Sequence, residues 1–156
     1  MLVYRIVHKK YSKNLFASGL KGRWNSCGSK VIYSAKSIPL AFLENMIRRQ
    51  GVGFNDDFKI MIIEIPDSLE ISEVKASELN EGWRDPNDYS VCVEVGDLWY
   101  SLGKTIALKV PSAVLVESNN YVINAEHAEF RRIKLLETTS LVPDERIEAI
   151  LKKSGR

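Results

Sequence analysis

A chain of 156 residues, 45% of them apolar, carries enough hydrophobic surface to bury a core of its own as one domain over residues 1–156. Its 22 basic and 20 acidic residues leave a net charge of +2, which excludes a general pull toward nucleic acid or a membrane surface, so any anion site must be local. Two cysteines, Cys27 and Cys92, and two histidines, His8 and His127, fit neither a metal-ligand spacing nor a disulfide framework, and a reducing cytoplasm is the simplest expected compartment.

The opening run Leu2 to His8 mixes branched and aromatic residues with Arg5 and predicts a strand. Its apolar part is far too short for a signal segment, and no stretch of the chain reaches membrane-spanning length, so a soluble protein without a visible export signal is expected. Tyr11 to Ser29 predicts a loop, with Gly19, Gly22 and Gly28 supplying turn chemistry but no phosphate-loop pattern. Taken alone, Gly22-Arg23-Trp24 reads as a surface turn whose Trp covers the edge of the core.

Val31 to Ala35 predicts a short strand that puts Tyr33 on the same face as Val31 and Ala35. Ser37 is a good helix N-cap, Pro39 suits the first turn, and Leu40, Leu43 and Ile47 recur at helical spacing before Gly51. On that helix Glu44 falls at the margin of the apolar face. Two readings stay open for it: an ordinary pair with Arg48 one turn on, worth about 0.3–0.5 kcal/mol if exposed, or a half-buried carboxylate aimed into a cleft.

Phe58 to Ile65 is nearly continuous apolar sequence closed by Pro66 and predicts a strand covered on both faces. Leu69 to Val74 reads as a further short strand, and Ala76 to Trp83 as a short helix or turn with Trp83 tucking back. Tyr89 to Leu102 fits helix and strand patterns in different parts; its length and Gly103 favour helix. Thr105 to Val110 predicts a strand. Ala113 to Glu117 and Tyr121 to Asn124 read as the arms of a hairpin turning at Ser118-Asn119-Asn120. Ile133 to Leu141 has strand character, and Asp144 caps a last helix through Lys152. The class expected is α+β, with a mixed, mostly antiparallel sheet and flanking helices.

Gly-Arg-Trp-Asn at 22–25, Val-Ile-Tyr-Ser-Ala at 31–35, Leu-Ala-Phe-Leu-Glu at 40–44, Gly-Asp-Leu-Trp at 96–99 and Val-Pro-Ser-Ala-Val at 110–114 stand in an order that resembles the RES domain family. Asn-Ala-Glu-His at 124–127 stands where that family usually shows Asn-Pro-x-His, and the ending from Val142 to Arg146 matches only loosely. The resemblance covers most of the chain. It implies a fold similar to that of ADP-ribosyltransferase toxins and membership of a toxin–antitoxin pair. The partner implied is an antitoxin with an Xre-type helix-turn-helix, bound in a hetero-oligomer.

The activity implied by the resemblance is consumption of NAD as substrate, by cleavage of the nicotinamide–ribose bond. An alternative is transfer of ADP-ribose to a protein on the same scaffold, and a plain binding module stands beside both. The name-giving arginine, glutamate and serine match Arg23, Glu44 and Ser112. Glu44 would face the ribosyl cation that develops as the bond breaks, and Arg23 would hold the pyrophosphate. Tyr33 would stack on the nicotinamide or fix the adjacent ribose, with Trp24 as a second aromatic face, and Ser112 would set the geometry through Glu44 or a ribose hydroxyl.

Overall fold

The computed structural model describes residues 1–50 and 57–154. Seven strands run β1 (Leu2–His8), β2 (Val31–Ala35), β3 (Phe58–Glu64), β4 (Ile71–Glu73), β5 (Ala107–Pro111), β6 (Asn119–Asn124) and β7 (Lys134–Ser140). Three helices, α1 (Ile38–Arg48), α2 (Ser90–Leu102) and α3 (Glu145–Ser154), complete the described elements with three short 3-10 turns. The strands form one sheet in the order β4-β5-β6-β2-β1-β3-β7, in which only β4 and β5 are parallel. The expected class, α+β with a mostly antiparallel mixed sheet, is the one observed.

Local chemistry explains the helix ends. Ser37 sits in extended backbone and its hydroxyl accepts from the Leu40 N–H at 3.3 Å, which starts α1 with Pro39 in the first turn. Gly103 closes α2 in the left-handed conformation, φ 57°, and donates to the Trp99 carbonyl. Asp144 accepts from the Arg146 N–H at 2.9 Å at the start of α3. The expected stop at Gly51 lies outside the described residues.

Two expectations change. Residues 113–117 form no strand; the hairpin joins β5 to β6 through 112–118, and Asn119 and Asn120 lie inside β6 rather than in its turn. Cross-strand pairing on both sides outweighed the turn preference of Asn. The stretch from Leu69 to Val74 yields only the three residues of β4, and Ala76 to Trp83 yields a single 3-10 turn at Ala76–Glu78 with Trp83 buried.

Strand alternation sorts the core onto two faces. One carries Val3, Ile32, Met61, Ile63, Tyr121 and Ile123. The other is shared: Ile6, Ala35, Phe58 and Ile60 pack with Leu40 and Ala41 of α1, while Val31, Leu108, Val110 and Val122 pack with Cys92 and Trp99 of α2. β3 is buried on both faces, as its continuous apolar run predicts.

Between the two halves the sheet opens. β1 and β2 share one registered pair, Tyr4 with Ala35, whereas β1 pairs with β3 along its whole length. Asn45 of α1 reaches in and donates from Nδ2 to the Ile6 carbonyl at 2.9 Å, satisfying a β1 group that β2 leaves unpaired. This divergence, with α1 beside it, is where the polar residues gather.

Candidate functional site

Tyr33 of β2 is the centre of the loop side of the site. Gly22-Arg23-Trp24-Asn25 closes on itself through an isolated antiparallel bridge between Gly22 and Asn25. The Tyr33 hydroxyl donates to Asn25 Oδ1 at 2.5 Å and accepts from the Trp24 N–H at 3.0 Å. Asn25, itself 1% exposed, donates in turn to the Leu20 and Ser26 carbonyls. A Cβ on Gly22 would stand 2.5 Å from the Tyr33 hydroxyl, so glycine is what lets the turn close over the ring. Burial drives the Tyr33 pKa well above that of an ordinary tyrosine, so the phenol is neutral throughout the physiological range.

The same loop is locked to α2. A Cβ on Gly96 would fall 1.8 Å from the Trp24 carbonyl oxygen, so the helix and the loop backbone touch directly. One residue on, the Asp97 carboxylate accepts from the Ser26 N–H at 2.9 Å and from the Ser26 hydroxyl. Two of the sequence motifs, at 22–25 and 96–99, are therefore halves of one interlock.

Across the sheet face, three elements converge on Glu44. It lies partly buried on α1, and its Oε1 accepts from Ser112 Oγ at 2.7 Å and from Asn120 Nδ2 at 2.5 Å. Ser112 is fully buried just past β5. Its oxygen also accepts from the Val114 and Leu115 N–H groups, at 3.1 and 2.9 Å. Both hydroxyl lone pairs are thus committed and its one proton points at Glu44. Such a serine orients a carboxylate; it has no free pair with which to attack.

Among the described residues no ion pair joins Glu44 to Arg48, which removes the ordinary surface-pair reading. Arg48 instead lies 6.0 Å from the Tyr33 ring centre. On β1, burial and the charge of Arg48 lower the Arg5 guanidinium to about 10, and Arg5 makes one long bond to the Phe16 carbonyl, 3.4 Å. Arg23 donates to the Trp83 and Asp85 carbonyls, at 2.8 and 3.1 Å, and lies 4.3 Å over the Tyr89 ring. Among the described residues no carboxylate forms an ion pair with it.

The structure therefore joins Glu44 to Ser112, sets Tyr33 beside Arg48, and holds Arg23 on the loop above Tyr33. Trp24 is 3% exposed, and its indole belongs to the core under α2; it reaches the Tyr33 group through its backbone N–H. His127 accepts from the Glu129 N–H within its own turn. Sequence reasoning missed Asn120 and Arg48. The strand parity that places Asn120 with Val122, opposite Tyr33, was the signal for the first. A hollow of about 420 Å³ lined by Lys21, Ser26, Cys27, Asp88, Ser90, Val93 and Glu94 adjoins the loop and holds none of the converging groups. Among the described residues no cluster of His, Cys, Asp and Glu could hold a metal ion, and no helix is long and apolar enough to cross a membrane.

A family model described as the RES domain matches residues 2–146. The chain belongs to the RES domain family. "Toxin Res" of Photorhabdus laumondii is 29% identical, over 85% of this chain and 86% of its own. The protein of that name from Yersinia enterocolitica is 30% identical, over 84% and 88%. "Prs ADP-ribosylating toxin" of a Sphingobium species is also 30% identical, over 81% and 80%. Among solved structures, a chain of the M. tuberculosis MbcT–MbcA toxin–antitoxin complex superposes with a TM-score of 0.69 at 16% identity, covering 97% of this RES domain and 87% of that chain. At that identity the likeness is one of fold.

Proposed function

We propose that this RES domain is the toxin of a toxin–antitoxin pair and that it destroys NAD by cleaving the bond between nicotinamide and ribose. The observation that carries the reading is the Glu44 carboxylate, fixed through one oxygen by Ser112 and Asn120, on the same sheet face as Tyr33. Membership of a family whose relatives are named toxins supports the same reading. As the glycosidic bond breaks, its electron pair leaves with neutral nicotinamide and positive charge grows on the ribosyl carbon. A preorganised anion in a partly buried site stabilises that charge far better than water does. Attack by water then yields ADP-ribose and a proton, and attack by phosphate yields the ADP-ribosyl phosphate.

The remaining groups suit the rest of the substrate. Arg48 lies beside the Tyr33 ring, and Arg23, on the loop that caps Tyr33, is held by carbonyls over Tyr89; both are cations fit for the phosphates of the pyrophosphate. The Tyr33 ring offers a flat face to the nicotinamide or the ribose while its hydroxyl is occupied by the loop. Trp24 contributes by holding the loop. The unit responsible is taken as residues 1–156, acting in the cytoplasm, where the free thiols Cys27 and Cys92 are at home. Silencing falls to a cognate antitoxin of the Xre type, bound over the site in a hetero-oligomer; the toxin–antitoxin complex of the structural neighbour supports an antitoxin partner as such.

A second reading, transfer of ADP-ribose to a protein side chain, is favoured by the name of the Sphingobium relative, an ADP-ribosylating toxin. One experiment separates the two. The purified chain is incubated with adenine-labelled NAD, with and without a cell extract, and the products are resolved by chromatography and on a denaturing gel. Free nicotinamide with label in small molecules supports NAD breakdown, and label on protein supports the transferase. Intact NAD under both conditions overturns both.

A further inference from the structure

We infer that Asn120 is a positioning residue: it ties down one oxygen of the Glu44 carboxylate and so turns the other toward the substrate ribose. The inference rests on the proposed reading for its substrate, and on geometry for the rest. Nδ2 donates to Oε1 at 2.5 Å, on the same oxygen that Ser112 holds at 2.7 Å. With both donors on Oε1, the free lone pairs are on Oε2. One carboxylate oxygen is used for orientation and the other is left for chemistry.

Asn120 is also the most rigidly placed of the three. Its backbone is registered against Ala35 of β2 on one side and Val110 of β5 on the other, inside the sheet. Ser112 comes from the loop that follows β5 and Glu44 from a helix; the strand supplies the fixed point against which α1 is set.

The other end of the amide is the second observation. Asn120 Oδ1 is buried and has no hydrogen-bond partner. Such atoms are rare in native structures and cost free energy. Rotating the amide by half a turn would not relieve this, because it would press a carbonyl oxygen against the carboxylate. An Asn within a strand, with low strand propensity and one unmet acceptor, breaks local rules that a Val at the same place would keep. Such violations mark sites where function outweighs stability. Holding Glu44 is what the arrangement gains.

The test uses the whole chain. Asn120→Ala and Asn120→Asp are compared with wild type for nicotinamide release from NAD, with thermal unfolding as a check that each folds. A drop in kcat of about 10- to 100-fold with KM within about threefold is expected, the size of one lost hydrogen bond to a charged group. Added to Glu44→Gln, either change should cost nothing further. A raised KM with kcat intact, or no change in either, overturns the inference.

A second readout needs no activity. In the ¹⁵N spectrum of the free chain, one side-chain amide proton of Asn120 should lie downfield and move back in Glu44→Gln. An Asn120 signal that ignores Glu44→Gln overturns the positioning contact. If wild type leaves NAD intact while that signal does respond, the NAD reading has failed and the positioning role stands.

Discussion

Gly96→Ala sets two effects of opposite sign against each other. Replacing glycine by alanine inside a helix ordinarily gains about 1 kcal/mol, because alanine loses less backbone freedom on folding. Here the new Cβ would meet the Trp24 carbonyl oxygen at 1.8 Å, where real Cβ contacts essentially never fall below 3.0 Å. The obstacle is backbone, so no rotamer change relieves it. α2 and the loop must separate by at least about 1.2 Å, which is enough to pull Asp97 off Ser26. Overpacking of this kind costs about 1–3 kcal/mol, and the two lost bonds to a carboxylate add about 1 kcal/mol each. The clash therefore wins by roughly 2–4 kcal/mol net, or ~4–16 °C in Tm for a chain of this size. Differential scanning fluorimetry of the purified variant reads it directly. An unchanged or raised Tm would refute the interlock between the helix and the loop at 22–26.

Further expectations follow from single contacts. Ser112→Ala orphans the Val114 and Leu115 N–H groups and removes one of two donors from Glu44, so kcat for NAD should fall about 10- to 100-fold and Tm by a few degrees, at about 1–3 kcal/mol; activity equal to wild type would contradict its orienting role. Arg23→Ala should raise KM for NAD, measured by initial rates, and loosen the segment at 83–89 to proteolysis through the lost carbonyl bonds; an unaltered KM removes it from phosphate binding. For Tyr33 the folded pKa lies above the unfolded one. Its contribution to stability is whole below about pH 10 and is lost above it, because the unfolded chain then releases a proton that the folded chain keeps. Urea midpoints taken from pH 9 to 11 should fall more steeply for wild type than for Tyr33→Phe, by up to about 1.4 kcal/mol per pH unit. Parallel slopes would show that the Tyr33 hydroxyl ionises freely.

What the sequence disclosed follows from how local each signal is. α1 was legible because Ser37, Pro39 and the apolar spacing all act within one helix, and the same spacing put Glu44 at the edge of the buried face. β3 announced itself by unbroken apolar sequence. Arg23, Tyr33, Glu44 and Ser112 could be named through the family pattern, yet their geometry could not. That Ser112 spends both lone pairs on backbone depends on the loop at 112–118, which forms only once β5 and β6 pair.

Asn120 was hidden for the opposite reason. Ser118-Asn119-Asn120 has turn composition, and nothing within six residues reveals that pairing with β2 and β5 draws the last two into a strand. Trp24 misled in the other direction: an aromatic beside an arginine looks like a ligand face, but packing against α2 buries it. Contacts made across long sequence separations decided both.

If the charge on Glu44 drives cleavage of NAD, Glu44→Gln, which keeps shape and removes charge, should lose it. Both proteins, matched in Tm, are incubated with NAD, and nicotinamide is quantified by chromatography over time. Steady release is expected from wild type and a rate at least about 100-fold lower from the variant, a loss of about 2.7 kcal/mol or more of transition-state stabilisation. Release by Glu44→Gln at the wild-type rate would contradict a role for that charge.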